Sequence, residues 1–154
     1  MAKEIERKFL VHPRKWSDLG PGLEIRQGYL CATKQSSVRV RTYGDKAFLT
    51  IKGSTTGLTR DEYEYEIPSD DANEIMNLCE RPPIEKTRYR IVFKGHTWEV
   101  DEFSGENRGL TVAEVELKNA KEQVELPDWI DREVSGDPRY LNSNLSVKPF
   151  STWK

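Results

Sequence analysis

Charged and apolar residues alternate at period two through most of this chain. The opening stretch "EIERKFL" (4–10) sets Glu4, Glu6 and Lys8 on one parity and Ile5 and Phe9 on the other. In an extended strand successive side chains point to opposite faces, so such a segment carries one ionic face and one apolar face. The alternation recurs in "LEIRQGYL" (23–30), "SVRVRTY" (37–43), "KAFLTIKG" (46–53), "DEYEYEI" (61–67), "KTRYRIVF" (86–93), "HTWEVDEF" (96–103) and "TVAEVELK" (111–118). Rich in Val, Ile, Tyr, Phe and Thr, these segments predict eight strands.

The breaks between them organise the strands. "YGDK" (43–46) and "FKGH" (93–96) are tight-turn sequences, which makes 37–53 and 86–103 antiparallel hairpins. "GSTTGLTR" (53–60) is longer, contains two glycines and reads as a candidate mobile loop. A helix is predicted over 69–80, with Ser69 as N-cap, acids in its first turn, and Ala72, Ile75, Met76 and Cys79 at helical spacing before Pro82-Pro83 stops it. Shorter helices are expected near 119–125, around 127–134 and after Asp137-Pro138. No linker, low-complexity tract or repeat divides the chain, so residues 1–154 read as one domain.

Composition changes how the strands must pack. Only 36% of the 154 residues are hydrophobic while 32% are charged, too few apolar groups to fill a conventional core behind every strand. Part of the interior is therefore expected to be polar. The 24 basic and 26 acidic residues nearly balance, which gives no general drive toward nucleic acid or an anionic membrane. There is no N-terminal apolar run and no stretch of 18 apolar residues, and Cys31 and Cys79 form no C-x-x-C pair. A reduced, cytoplasmic protein with packing cysteines is expected.

Parity also sorts the charges by sign. Arg39 shares a face with Arg41, Glu62 with Glu64, Lys86 with Arg88 and Arg90, and Glu114 with Glu116. A solvated sheet face explains any one of these strands. Like charges on alternate residues lie about 7 Å apart and gain nothing from each other, so their repetition suggests that each pair grips something of opposite charge. Carboxylate pairs suit hard cations, and Lys and Arg pairs suit phosphoryl oxygens. Eight antiparallel strands can close into a barrel. With the apolar faces turned outward to helices such as 69–80, the ionic faces line the bore. The expectation is an α+β protein: an eight-stranded antiparallel β-barrel, or tunnel, with a charged interior and helices packed on the outside.

E-x-E-x-K at the N-terminus, followed in order by "IRQGYL", "RVR", "TIKG", "EYEYEI", "EKTRY", "EVDEF", "GLTVAEVEL" and "GDPRYLN", resembles the CYTH family of triphosphate tunnel metalloenzymes over roughly residues 3–145. The resemblance implies a tunnel that binds a linear triphosphate and a divalent cation, Mg2+ or Mn2+. Carried over by position, it implies Glu4, Glu6, Glu114 and Glu116 as metal-site carboxylates, and these with Lys8 as the catalytic set. Lys8, Arg39, Arg41, Lys52, Lys86 and Arg88 match the phosphate-gripping cations, while Tyr29, Glu62, Glu64 and Asp101 match supporting tunnel positions. The tail "SVKPFSTWK" (146–154) falls outside the alignment, and its Phe150 and Trp153 are expected to pack on the exterior.

The implied activity is metal-dependent hydrolysis of inorganic tripolyphosphate to pyrophosphate and phosphate, since a short chain without an appended domain resembles the compact bacterial tripolyphosphatases. Nucleoside or thiamine triphosphates, or cyclisation of ATP, are the alternatives within the family. A non-catalytic polyphosphate or nucleotide sensor is the alternative outside catalysis, and the four metal-site carboxylates argue against it. Aromatic rings that could stack on an organic substrate, Tyr29, Trp16 and Trp129, have no assigned place at a tunnel mouth. His12 and His96 lie near turns, outside the charged pairs, and read as surface histidines. No G-x-x-x-x-G-K-[ST] loop is present. The partner expected is a small-molecule triphosphate, with neither nucleic acid nor membrane.

Overall fold

Eight antiparallel strands close on themselves into a barrel, and a ninth lies against its seam. The computed structural model describes residues 3–12 and 20–153, so Trp16 lies outside the described residues. In chain order the elements are β1 (Lys3–Val11), β2 (Leu23–Ala32), β3 (Ser36–Tyr43), β4 (Lys46–Gly53), β5 (Thr59–Ile67), α1 (Ser69–Met76), β6 (Ile84–Phe93), β7 (His96–Phe103), β8 (Thr111–Glu116), β9 (Ile130–Glu133) and α2 (Asn142–Val147). Spatially the strands run β5-β4-β3-β2-β6-β7-β8-β1, and pairing of β1 with β5 completes the circle. β1 bonds β8 along Glu6–Leu10. Its other edge is divided, with β5 opposite Lys3–Ile5 and β9 opposite Phe9 and Val11. The two short hairpins form as the turn residues require: Lys94 and Gly95 both have positive φ, as a two-residue type I′ connection needs.

The apolar parity does face outward. Phe9, Trp98, Val100, Ala113 and Val115 form a buried cluster on the outside of β1, β7 and β8. Trp98 sits at its centre, 5.6 Å from the Phe9 ring and edge-on to Trp129 at 5.8 Å. A second cluster lies where Ala72 and Met76 of α1 cover Val40 and Ala47.

What covers the first cluster departs from expectation. Residues 117–129 cross it without a helix, and 130–133 form strand β9 where a helix was predicted around 127–134. Over 119–125 only Val124 packs inward, so no apolar stripe exists to hold a helix against the barrel. Farther on, the edge of β1 left vacant beyond Ile5 offers backbone partners to β9. α1 is also shorter than predicted, ending at Met76, and Pro68 occupies its N-cap. The Ser69 hydroxyl donates instead to the Asp45 carbonyl at 3.1 Å. After α1 the chain turns so that Cys79 packs on Gly28, where a Cβ would lie 2.8 Å from its sulfur.

One end of the barrel is closed by apolar groups. Ile84, Phe103 and Val112, on the same parities as the charged residues of their strands, meet Leu110, Val134, Tyr140 and Leu145. The helix expected after Pro138 exists as a short 3-10 turn followed by α2, and together they form this plug. Phe150 and Trp153 pack against it from outside, with Trp153 edge-on to Tyr140 at 5.2 Å. Among the described residues, no helix is long and apolar enough to cross a membrane.

Candidate active site

The ionic parities converge inside the barrel. A cavity of about 190 Å³ is lined by Glu4, Glu6 and Lys8 of β1, Tyr29 of β2, Arg39 and Arg41 of β3, Lys52 of β4, Glu62 and Glu64 of β5, Lys86 and Arg88 of β6, and Glu114 and Glu116 of β8. Strand pairing forces this meeting, because Glu6 lies opposite Glu116, Lys8 opposite Glu114, Lys52 opposite Glu62, and Arg88 opposite Asp101. Of the predicted site residues only Asp101 is absent from the lining. It is buried behind Arg88, whose Nε and Nη2 donate to its two oxygens at 2.7 and 2.9 Å, and Lys86 Nζ lies 2.7 Å away.

Six lining groups escaped the sequence reading, among them Ser37, which shares the parity of Arg39 and Arg41 on β3 but carries no charge. Arg60 faces Glu4 across the β1–β5 seam and bonds it at 3.3 Å. Its parity with Glu62 and Glu64 was legible, but the predicted strand began at Asp61, two residues after the observed start of β5. Glu99 shares the parity of Asp101 on β7 and stands 3.4 Å from Arg88, but only Asp101 of that acid pair was assigned to the site from sequence. Leu141, Asn142 and Ser143 enter from the C-terminal plug and carry no charge to mark them.

Strand-segregated charges largely meet their opposites across the barrel. Lys52 contacts Glu4 at 3.2 Å and Glu62 at 3.3 Å, Lys8 lies 3.6 Å from Glu114, and Arg39 lies 3.7 Å from Glu64. The pairing is incomplete in a systematic way. Burial pushes the Glu6 carboxyl well above its usual range, and the neighbouring Glu114 and Glu4 push it further. Glu116 is also raised, by burial and then by Glu4 and Glu99. Glu114 itself is pushed up by burial but held well below the usual range by Lys8, Glu6 and Arg88. Glu6 and Glu116 are thus crowded beyond what nearby cations compensate.

The opposite excess lies deeper. Burial, then the adjacent Arg39 and Arg88, bring Arg41 down from its ordinary value to about 9. Burial also brings Lys86 down to about 7, with Arg88 and Arg41 adding to the effect against the pull of Asp101. Arg39 Nε is buried without a hydrogen-bond partner. An orphaned buried donor costs about 1–3 kcal/mol, and an anionic oxygen would relieve it.

Two further openings join the bore. On the acidic side Glu4, Glu6, Glu99, Glu114 and Glu116 continue into a vestibule with Arg90, Lys118 and Glu122. There His96, predicted as a surface histidine, is only 18% exposed, with Nε2 2.7 Å from Glu122. His12 is exposed as expected. The second opening is a side window where β1 parts from β5, bordered by Gly57 and Leu58 of the "GSTTGLTR" loop and by Val134, Gly136 and Pro138.

The arrangement is a channel with a cation-seeking end and an anion-seeking end. Among the described residues no three His, Cys, Asp or Glu side chains are already drawn together as a metal shell. The raised Glu6 carboxyl, crowded by Glu114 and Glu4, is the group whose charge a cation would stabilise.

A CYTH domain model matches residues 2–144. An inorganic triphosphatase of Acetivibrio thermocellus is 56% identical over 155 residues, spanning 100% of this chain and 99% of its own length. An inorganic triphosphatase of Nitrosomonas europaea is 36% identical over 148 residues, spanning 94% of this chain and 97% of its own. The crystal structure of the inorganic triphosphatase NE1496 superposes with a TM-score of 0.67 at 33% identity, covering 96% of both chains.

Proposed function

Because the chain belongs to the CYTH domain family, we propose that it is a triphosphatase that cleaves inorganic tripolyphosphate to pyrophosphate and phosphate. The observation that carries this reading is the double imbalance of the bore: an uncompensated carboxyl at Glu6 and under-partnered cations at Arg39 and Arg41. A metal-bound linear polyanion satisfies both at once. Family membership implies a divalent metal, and hard oxygen donors suit Mg2+ or Mn2+.

Glu4, Glu6, Glu114 and Glu116 are the residues that would hold the metal. Held there, a divalent ion would supply positive charge against the phosphates and a lowered pKa for water. Lys8, Arg39, Arg41, Lys52, Lys86 and Arg88 bind and orient the phosphates, and Arg60, which bonds Glu4, joins them at the seam. Fixed donors in a water-poor bore stabilise charge on the leaving pyrophosphate more than solvent does. Lys86, fixed by Asp101 at 2.7 Å and by Asn142 at 3.0 Å, is the deepest of these cations. Glu62 and Glu64 hold Lys52 and the Arg39–Thr50 pair in place. Asp101 serves by fixing Arg88 and Lys86.

Phosphate release from a panel of triphosphates, with Mg2+, Mn2+ or chelator, tests the proposal. Wild type should release phosphate from tripolyphosphate only with metal, and Glu114→Ala should abolish release. Binding without turnover under every metal would favour a sensor. The side window favours a second reading, because its apolar rim at Leu58, Val134 and Pro138 borders Glu4, Lys8 and Arg60. It could seat the organic group of a nucleoside or thiamine triphosphate, and faster turnover of such an ester in the panel would establish that preference.

A further inference from the structure

Two neutral amides connect the cations of the bore. Asn142, the first residue of α2, accepts a hydrogen bond from Lys86 Nζ at 3.0 Å and another from Gln27 Nε2 at 3.0 Å, both on Oδ1. Gln27, fully buried on β2, accepts from Arg41 Nε at 2.9 Å. The amide orientations are dictated by chemistry: Lys and Arg can only donate, so Asn142 must turn its oxygen to Lys86 and Gln27 its oxygen to Arg41. Gln27 is then left with its NH2 toward Asn142. The same segment supplies the Tyr140 carbonyl, which accepts from Lys8 Nζ at 3.1 Å.

Neutral acceptors orient a cation without cancelling its charge, as a carboxylate would. In a site that must grip a polyanion this distinction matters. We propose that Asn142, acting with Gln27, is a positioning residue for the triphosphatase reaction, through which the C-terminal plug aims Lys86 and Arg41 into the bore. This rests on the proposed triphosphatase function, with Lys86 and Arg41 as cations that stabilise charge on the phosphates. The charged groups acting on Lys86 are Asp101 of β7, Arg88 of its own strand, Arg41 of β3 and Glu114 of β8, and the Phe103 ring lies 5.3 Å from Nζ. Asn142 is the neutral acceptor among its neighbours.

Two substitutions test the assignment. Asn142→Asp keeps shape and acceptors but adds a carboxylate at Lys86, which favours the protonated amine. Asn142→Ala removes an acceptor that favours it. On tripolyphosphate, Asn142→Ala should raise KM at least tenfold with kcat changed less than threefold, and Gln27→Ala, which frees Arg41, should also act mainly on KM. The lysine side-chain carbons, labelled with 13C and followed by NMR, should show the Lys86 titration moving up by a pH unit or more in Asn142→Asp and down in Asn142→Ala. A structural role alone would lower Tm and leave that titration in place. Unmoved or same-direction titrations in the two variants overturn the assignment. Because the NMR needs no substrate, a wild type that fails to turn over tripolyphosphate would overturn the function and leave this readout to decide the positioning separately.

Discussion

Replacing Asp101 by asparagine keeps the size of the side chain but removes the carboxylate that clamps Arg88 through two bonds and holds Lys86 at 2.7 Å. Both cations stay buried, with side chains 7% and 0% exposed, so water cannot take over the lost role. Removing one partner of a buried ion pair costs about 3–5 kcal/mol, because the remaining charge is left uncompensated. For a chain of this size that corresponds to a fall in Tm of roughly 6–20 °C. Thermal unfolding at pH 7, without metal or substrate, measures it. The pH dependence follows from the sign of the shift. Burial alone would push the Asp101 carboxyl up, but Arg88 and Lys86 hold it far below its usual range. Its stabilisation is thus present above the unfolded value of about 3.9 and is lost as pH falls from there through the depressed folded value. The gap between wild type and variant should be full at pH 7 and shrink below about pH 4. Tripolyphosphate should also raise the variant's Tm more than that of wild type, since it supplies the missing negative charge. A fall below about 3 °C at pH 7, or a gap that does not narrow in acid, would refute the reasoning.

Other outcomes follow from the same imbalance of charge. Glu6→Gln removes a carboxylate raised by burial and by Glu114 and Glu4, so the metal-free protein should gain stability at neutral pH, where wild-type Glu6 is pressed to ionise. Differential scanning fluorimetry should show that gain together with loss of the metal-induced rise in Tm. Arg39→Ala removes charge-assisted bonds of about 1.5–3 kcal/mol, predicting a KM for tripolyphosphate roughly 10- to 100-fold higher, whereas Glu116→Ala should chiefly raise the metal concentration needed. Steady-state titrations of substrate and metal separate the two. KM for tripolyphosphate should rise as pH passes through about 7, where Lys86 loses its charge, and Lys86→Arg should flatten that dependence. Trp98→Ala should cost about 3–5 kcal/mol by emptying the centre of the outer cluster, seen in denaturant unfolding.

Parity carried most of what the sequence revealed. A one-residue step exchanges the two faces of a strand, so Glu4, Glu6 and Lys8 had to share a side, and low hydrophobic content pointed that side inward. Where function depends on charge repeated along one strand, the site was legible. Arg60 was lost to a strand boundary, and Glu99 was left out although it shares a face with Asp101. Gln27 and Asn142 could not be found by charge, because their role lies in contacts between β2, β6 and α2 that exist only after folding. β9 was misread for a related reason. Its pairing is dictated by the vacant edge of β1, which local propensity does not record. Asp101 was placed on the correct face, yet cross-strand register set it behind Arg88 rather than in the open cavity.

The divided edge of β1 bears on how the protein is made. β1 is synthesised well before most of its partners, which lie in β8 and β9, and it touches β5 over only three residues. Long-range pairing of this kind must wait until β8 and β9 have been made. Until then Glu4, Glu6 and Lys8 remain on an unattached ribbon, and a nascent chain halted before β8 has no means of assembling the acidic end of the channel.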